Sequence, residues 1–173
     1  RTSIVCKDIW NEREYREFLV NLVHELDCEK YVNVNFEGVS NEGLKREFKE
    51  ADVFVLSTYL PPPRNGYGWG LTNFEAMAAG LPVVALNASG VREVVRDGEN
   101  GFMLRGSAST AEFARAIARL LVTKTRAPLA KEAQATAREF SREKAAEKTL
   151  AFYEETRRAT RARRLLHHLS PWS

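Results

Sequence analysis

The residues best suited to chemistry lie between Ser57 and Gly101. Gly66, Gly68 and Gly70 alternate in a segment that follows an apolar run, Val53 to Leu56, and precedes a helical one. In open α/β sheets, ligands bind beyond the carboxyl ends of the strands. Glycines placed there let backbone N–H groups approach a diphosphate, and a helix that starts beside them adds its positive end. The alternative is a plain glycine-rich turn. The spacing G-x-G-x-G after a third predicted strand is not the dinucleotide fingerprint, and no Gly-Lys-Ser/Thr follows to make a P-loop. Glu75, placed on the first turn of the next helix, has two readings. Thr72, three residues earlier, would let it close a capping box. Otherwise its carboxylate is available to accept hydrogen bonds from a pair of sugar hydroxyls. Spacing alone does not choose between them.

Other chemistries are poorly supplied. Two cysteines, Cys6 and Cys28, exclude a disulfide framework and a Cys-rich zinc site. His24, His167 and His168 are too few for a His-built metal centre, so no metal is expected. The longest mostly apolar stretch, Ala76 to Leu86, is broken by Gly80 and Pro82 and falls far short of the roughly 20 residues that span a membrane. No secretory signal is recognisable, so the expected location is cytoplasmic, with the membrane face as an extension through a basic end. A chain of 173 residues, 44% hydrophobic and 28% charged, supports one domain with a real core rather than wholesale disorder.

The net charge of +3 is unevenly spread. Residues 1–123 hold 14 basic and 17 acidic side chains, and residues 124–173 hold 12 and 6. A slightly acidic body therefore carries a basic tail in which Arg157, Arg158, Arg161, Arg163 and Arg164 crowd together. The default reading of such a run is a solvated helix face or a disordered end. Contact with an anionic membrane surface is the sharper one. Nucleic acid is disfavoured because no aromatic residues interleave.

The elements that must position Glu75 and the glycines alternate between strand and helix. Strands are predicted at Ser3–Cys6, Val32–Phe36, Val53–Leu56, Pro82–Leu86 and Phe102–Leu104. Val53–Leu56 and Pro82–Leu86 are continuously apolar, as in strands buried on both faces. Helices are predicted at Asn11–Leu26, with the stripe Tyr15, Phe18, Leu19, Leu22, Val23 and Leu26, and at Glu42–Ala51. Further helices fall at Asn73–Ala79 (ended by Gly80), Val91–Val95, Thr110–Leu121, Pro128–Glu139 and Arg142 to about Arg158. Ser109 and Glu112 form a capping box, and Ser141 caps the last helix. The pattern predicts an α/β fold, a doubly wound Rossmann-like parallel sheet with helices on both faces. Residues 1–155 form this domain, and residues 156–173 form the basic tail, helical or disordered.

The run Tyr67-Gly68-Trp69-Gly70-Leu71-Thr72-Asn73-Phe74-Glu75-Ala76-Met77-Ala78-Ala79-Gly80 resembles the donor-site signature of the family-four class of GT-B glycosyltransferases. The segments Ser89–Leu104, Val34–Ser40 and Ala51–Ser57, with Phe140-Ser141 and Tyr153, are similar to the family in the same order and spacing. The likeness covers roughly residues 3 to 155. It implies the carboxy-terminal, nucleotide-sugar-binding half of a GT-B architecture, lacking its first strand-helix unit. It also implies roles. Glu75 matches the second of two glutamates, eight positions apart, that binds the ribose hydroxyls. The amides of Gly68, Trp69, Gly70, Leu71 and Thr72 would approach the diphosphate. Gly38, Val39 and Ser40 would lie against the base. The family transfers sugar from a nucleotide donor with retention at the anomeric carbon and without a metal, and this chain has no Asp-x-Asp.

Two departures stand out. The first glutamate of the pair, which contacts the donor sugar, is replaced by Tyr67, which can hydrogen-bond but supplies no carboxylate. The family's Arg and Lys near the diphosphate have no counterpart. Cys6-Lys7-Asp8 stands where Gly-Asp-Gly is usual, and Lys7 and Arg64 are substitutes only against a default surface role. The acceptor domain, which carries most of the acid-base contacts, is outside the similarity, and the catalytic residues are not identified. The expected function is the donor-binding part of a retaining hexosyltransferase-like enzyme, inactive alone. Its expected partners are a nucleotide-sugar donor, a glycan, lipid or small-molecule acceptor, and an acceptor domain or partner chain. The alternative is a non-catalytic nucleotide-sugar-binding or regulatory module. A generic α/β domain with a purely structural glycine loop is the third reading.

Overall fold

The computed structural model describes residues 2–5, 13–57, 70–88 and 90–168, with side chains up to residue 161. The chain divides into two compact units, Arg1–Ala51 and Asp52–Ser173.

The first unit holds β1 (Thr2–Val5), α1 (Arg13–Glu25), β2 (Val32–Asn35) and α2 (Asn41–Glu50). β1 and β2 pair in parallel with Thr2 opposite Val32 and Val5 opposite Asn35. Parallel neighbours need a crossover, and α1 supplies it. Its apolar stripe is only partly used. Leu19, Leu22 and Val23 are half-buried, whereas Tyr15, Phe18 and Leu26 stay exposed. Ser40 caps α2 by accepting from the Gly43 N–H at 3.1 Å.

The second unit is built on β3 (Phe54–Leu56), β4 (Val83–Leu86) and β5 (Gly101–Leu104), all parallel, in the order β3-β4-β5. α3 (Leu71–Ala78) connects β3 to β4, and a short 3₁₀ turn, Gly90–Glu93, stands between β4 and β5. Then follow α4 (Thr110–Leu121), α5 (Thr123–Glu139) and α6 (Arg142–His168). β4 is the centre. All four of its residues are buried, and its period of two divides the core. Val83 and Ala85 pack with Met77, Val91, Val94, Val95 and Ala133 on one face. Val84 packs with Phe102, Ala116 and Leu120 on the other. The α/β class with a parallel sheet is as the sequence predicts.

Four details differ from the sequence reading. β3 is not buried on both faces: it ends the three-stranded sheet, and Val55 is 39% exposed. α5 begins at Thr123 rather than Pro128. Pro128 lies inside the helix as its sixth residue, and the helix continues through it although it donates no N–H toward the preceding turn. Where a helix is predicted at Val91–Val95, the chain makes the 3₁₀ turn Gly90–Glu93. α6 runs through residue 155 to His168 instead of ending near Arg158. Gly80 terminates α3 as expected, with φ +89° and its N–H bonded to the Met77 carbonyl. Ser141 also caps α6 as expected, accepting from the Lys144 N–H at 3.2 Å.

Candidate functional site

The site is built on the start of α3, which follows β3 at the carboxyl end of the parallel sheet. Gly70 is the N-cap, with φ +63° and ψ +88°. A Cβ there would meet Asn73 Nδ2 at 3.0 Å and Leu56 Cδ2 at 3.3 Å, in a backbone conformation that L residues rarely adopt. Glycine is thus required both by the left-handed conformation and by the close packing of strand end and helix start. The Asn73 N–H folds back onto the Gly70 carbonyl at 2.8 Å. Among the described residues no side chain caps the helix. The first amides of an uncapped helix carry unsatisfied donors and the positive end of the dipole. At α3 these are the amides of Leu71 and Thr72, both in exposed residues.

α3 is amphipathic in spite of its eight residues. Asn73, Ala76 and Met77 are fully buried, and Phe74 packs its ring on Phe140 at 5.0 Å between centroids. These contacts fix the orientation of the helix. The opposite face carries Leu71, Thr72 and Glu75, all exposed. Residues three and four apart are neighbours on a helix surface. Glu75 therefore stands about one turn, roughly 6 Å along the helix axis, from the Leu71 position at its start.

Two readings of Glu75 change here. It is the fifth residue of α3, in the second turn rather than the first. It also closes no capping box with Thr72, because the cap is Gly70 and the third helical residue is Asn73. Among the described residues the Glu75 carboxylate has no ion-pair or hydrogen-bond partner. The box predicted at Ser109 and Glu112 does form. The Glu112 carboxylate accepts from the Ser109 N–H at 2.8 Å, the Ser109 hydroxyl at 2.9 Å and Arg105 at 3.1 Å. These bonds, the Ser109 backbone first, pull Glu112 down to about 2.

The remaining expected residues fall in two places. Gly38, Val39 and Ser40 belong to the first unit, where Gly38 takes φ +73° and Ser40 is occupied as the cap of α2. Tyr67, Gly68 and Trp69 lie outside the described residues, as do Gly66, Lys7 and Arg64.

One positioning residue was missed by reasoning from residue types. Asn100 is fully buried. Its Nδ2 donates to the Val94 carbonyl at 2.9 Å and to Thr136 Oγ1 at 3.1 Å, and its Oδ1 accepts from the Arg96 N–H at 2.8 Å. It ties the turn after β4 to α5, while Val91 and Val94 of that segment share a core with Met77 of α3. The available signal was the turn spelling Asp97-Gly98-Glu99-Asn100-Gly101, in which Asp97 also accepts from the Met103 N–H at 2.9 Å. Among the described residues there is no cluster of three or more His, Cys, Asp and Glu of the kind that holds a metal. None of the described helices is long and apolar enough to cross a membrane.

Comparison with known proteins places these observations. The model of the family described as "Glycosyl transferases group 1" matches residues 8–140. The spore coat protein SA of Bacillus subtilis is 29% identical over 151 residues, covering 86% of this chain and 38% of its own length. The D-inositol 3-phosphate glycosyltransferase of Rhodococcus erythropolis is 36% identical over 104 residues, covering 60% of this chain and 23% of its own. Among solved structures, Anabaena HepE, crystallised in complex with UDP-glucose, superposes with a TM-score of 0.65 at 26% identity, over 78% of this chain and 35% of that one. The sucrose-phosphate synthase of Thermosynechococcus elongatus shares the fold, with a TM-score of 0.73 at 24% identity, over 91% of this chain and 38% of that one. The chain thus spans about two fifths or less of the length of these relatives.

Proposed function

The chain belongs to the group 1 glycosyl transferases, and on that premise we propose that it is the donor-binding part of a retaining enzyme of glycan biosynthesis. The reaction moves a sugar from a nucleotide-diphosphate sugar to a glycan, lipid or small-molecule acceptor. An acceptor domain, outside this chain or on a partner, completes the active site, and the part alone does not turn over. The observation that carries this reading is the start of α3. A helix start pinned by Gly70 at the carboxyl end of the sheet stands one turn from an exposed carboxylate that has no partner among the described residues.

The chemistry follows from that arrangement. As the glycosidic bond to the diphosphate breaks, negative charge builds on the departing oxygen. Amides of Gly70, Leu71 and Thr72, with those of Gly68 and Trp69, stabilise it through oriented N–H donors and the helix dipole. No metal is called on. Glu75 accepts from the two ribose hydroxyls and fixes the donor's register along the helix. Gly38, Val39 and Ser40 border the base, and Tyr67 meets the sugar. HepE is bound to UDP-glucose, so uridine nucleotides are the first donors to test.

A titration of UDP and UDP-glucose into the full chain tests the reading. Saturable heat is expected, and none with any nucleoside diphosphate or nucleotide sugar would contradict it. Tyr67→Glu should sharpen discrimination between donor sugars, whereas an unchanged preference would remove Tyr67 from the sugar site. The second reading, a binding module without turnover, is favoured by Tyr67 in place of a glutamate. It prevails if donors bind but transfer stays absent after a matching amino-terminal domain is supplied.

A further inference from the structure

α3 is eight residues long, too short to keep its shape without tertiary contacts. Its two halves are held differently. In the second half Met77 is fully buried in the core. Gly80, just past the end, lies so close to α5 that a Cβ there would stand 2.9 Å from Gln134 Nε2. In the first half, beside the candidate site, Phe74 is half-buried. It packs against the core that contains Met77 and Ala133, and its ring meets Phe140 at 5.0 Å between centroids, with 51° between the planes.

Phe140 stands at the corner between two helices. It is the C-cap of α5, and Ser141 after it caps α6. The corner is fastened to the rest of the second unit. One turn back, Thr136 Oγ1 accepts from the buried Asn100 Nδ2 at 3.1 Å. Glu139, next to Phe140, accepts from Arg96 Nη2 at 3.0 Å. The Phe140 N–H closes on the Ala137 carbonyl at 3.3 Å. A fixed backbone therefore presents the Phe140 ring to α3, although the residue is 38% exposed.

Successive residues on a helix stand about 100° apart on one shared backbone. A rotation that carried Phe74 away from Phe140 would carry Glu75 through the same angle, with the amides of Leu71 and Thr72. We propose that Phe140 is a positioning residue for donor binding. From the corner of α5 and α6 its ring holds Phe74, and through Phe74 it sets the angle at which α3 presents Glu75. The proposal rests on the donor reading of Glu75. Phe140 touches no donor itself, so its loss is read in affinity. A tilted ring pair is a directional contact, which an aliphatic side chain of similar bulk does not reproduce.

Calorimetry with UDP on the full chain, together with amide exchange at residues 73–76, tests this. Phe140→Ala should weaken UDP binding about ten-fold. Exchange of amides 73–76 should accelerate about as much, while those of α4 exchange as in the parent. Phe140→Leu should lose about three-fold, and it carries the test if Phe140→Ala does not fold. Phe140→Tyr keeps the ring and should bind within about two-fold of the parent. A double-mutant cycle separates positioning from general loosening. In a Glu75→Ala background, Phe140→Ala should cost no more than about two-fold, because the group it positions is gone. A second loss of about ten-fold there would overturn the proposal. So would unchanged exchange at residues 73–76, or a Phe140→Tyr variant that binds as poorly as Phe140→Ala. If the parent binds no nucleotide, the donor reading of Glu75 falls and this role of Phe140 falls with it. If Glu75→Ala binds more weakly than the parent while Phe140→Ala and Phe140→Leu match it, the role of Phe140 alone is removed.

Discussion

The starts of α3 and α4 share a Ser/Thr-x-x-Glu pattern and use it in opposite ways. Thr72-Asn73-Phe74-Glu75 and Ser109-Thr110-Ala111-Glu112 both read as a capping box. At α4 the box closes: Ser109 is the N-cap, and Glu112 bonds its backbone, its hydroxyl and Arg105. At α3 a left-handed glycine takes the cap position, the helix begins one residue after it, and the glutamate is left one turn along on the exposed face. The first arrangement consumes its polar groups internally and contributes to stability. The second leaves donors and an acceptor for something else. A carboxylate with no partner among the described residues is where a ligand hydroxyl has most to gain.

This contrast between a closed and an open region has measurable consequences. The largest belongs to the closed part of the fold. Asn100→Ala strips the Val94 carbonyl and the Arg96 N–H of their buried partner. It should cost about 3 kcal/mol in denaturant unfolding. A loss under about 1 kcal/mol would mean that the turn after β4 is held by its apolar contacts alone. Next comes Glu75→Ala, which should weaken nucleotide binding by about 1.5–3 kcal/mol while leaving unfolding within about 0.5 kcal/mol of the parent. Ser109→Ala should do the reverse, costing about 1 kcal/mol of stability with no change in nucleotide affinity. If the two variants affect the same property, the distinction fails.

The smallest effect is pH-dependent. Glu112 sits at about 2 in the fold against an ordinary 4.5. The unfolded chain takes up its proton first on acidification. Its contribution is therefore fully present above about pH 5 and fades as pH falls toward 2. Unfolding of the parent and of Glu112→Gln, followed from pH 6 downward, should show a gap that narrows across this window. A gap that is constant with pH would detach the stabilisation from the charge.

Much of the second unit was legible because period and punctuation agree there. Val83 to Leu86 is a short apolar run bounded by Gly80, Pro82 and Asn87, and it became the buried central strand. α4 kept both of its predicted ends because a capping box and a continuous stripe coincide. β3 was misjudged because an apolar run reports which residues tolerate burial, not which neighbours the strand receives, and Val55 remained half open. α5 hid its first turn because proline reads as a boundary, although here the helix runs through Pro128. The site was legible only in part. Glu75 and the glycines could be named from sequence, but the cap at Gly70 depends on a positive φ that no spacing rule announces. Asn100 was passed over because a polar residue in a turn reads as exposed. Its role appears only once Thr136, 36 residues later, is packed beside it.

One paired measurement tests the account most directly: isothermal calorimetry with UDP on the parent chain, Glu75→Ala and Ser109→Ala, each with its melting temperature. The parent and Ser109→Ala should bind alike, and Glu75→Ala should bind about 10- to 100-fold more weakly while melting with the parent. Equal binding by Glu75→Ala and the parent would contradict the assignment of this carboxylate to the donor.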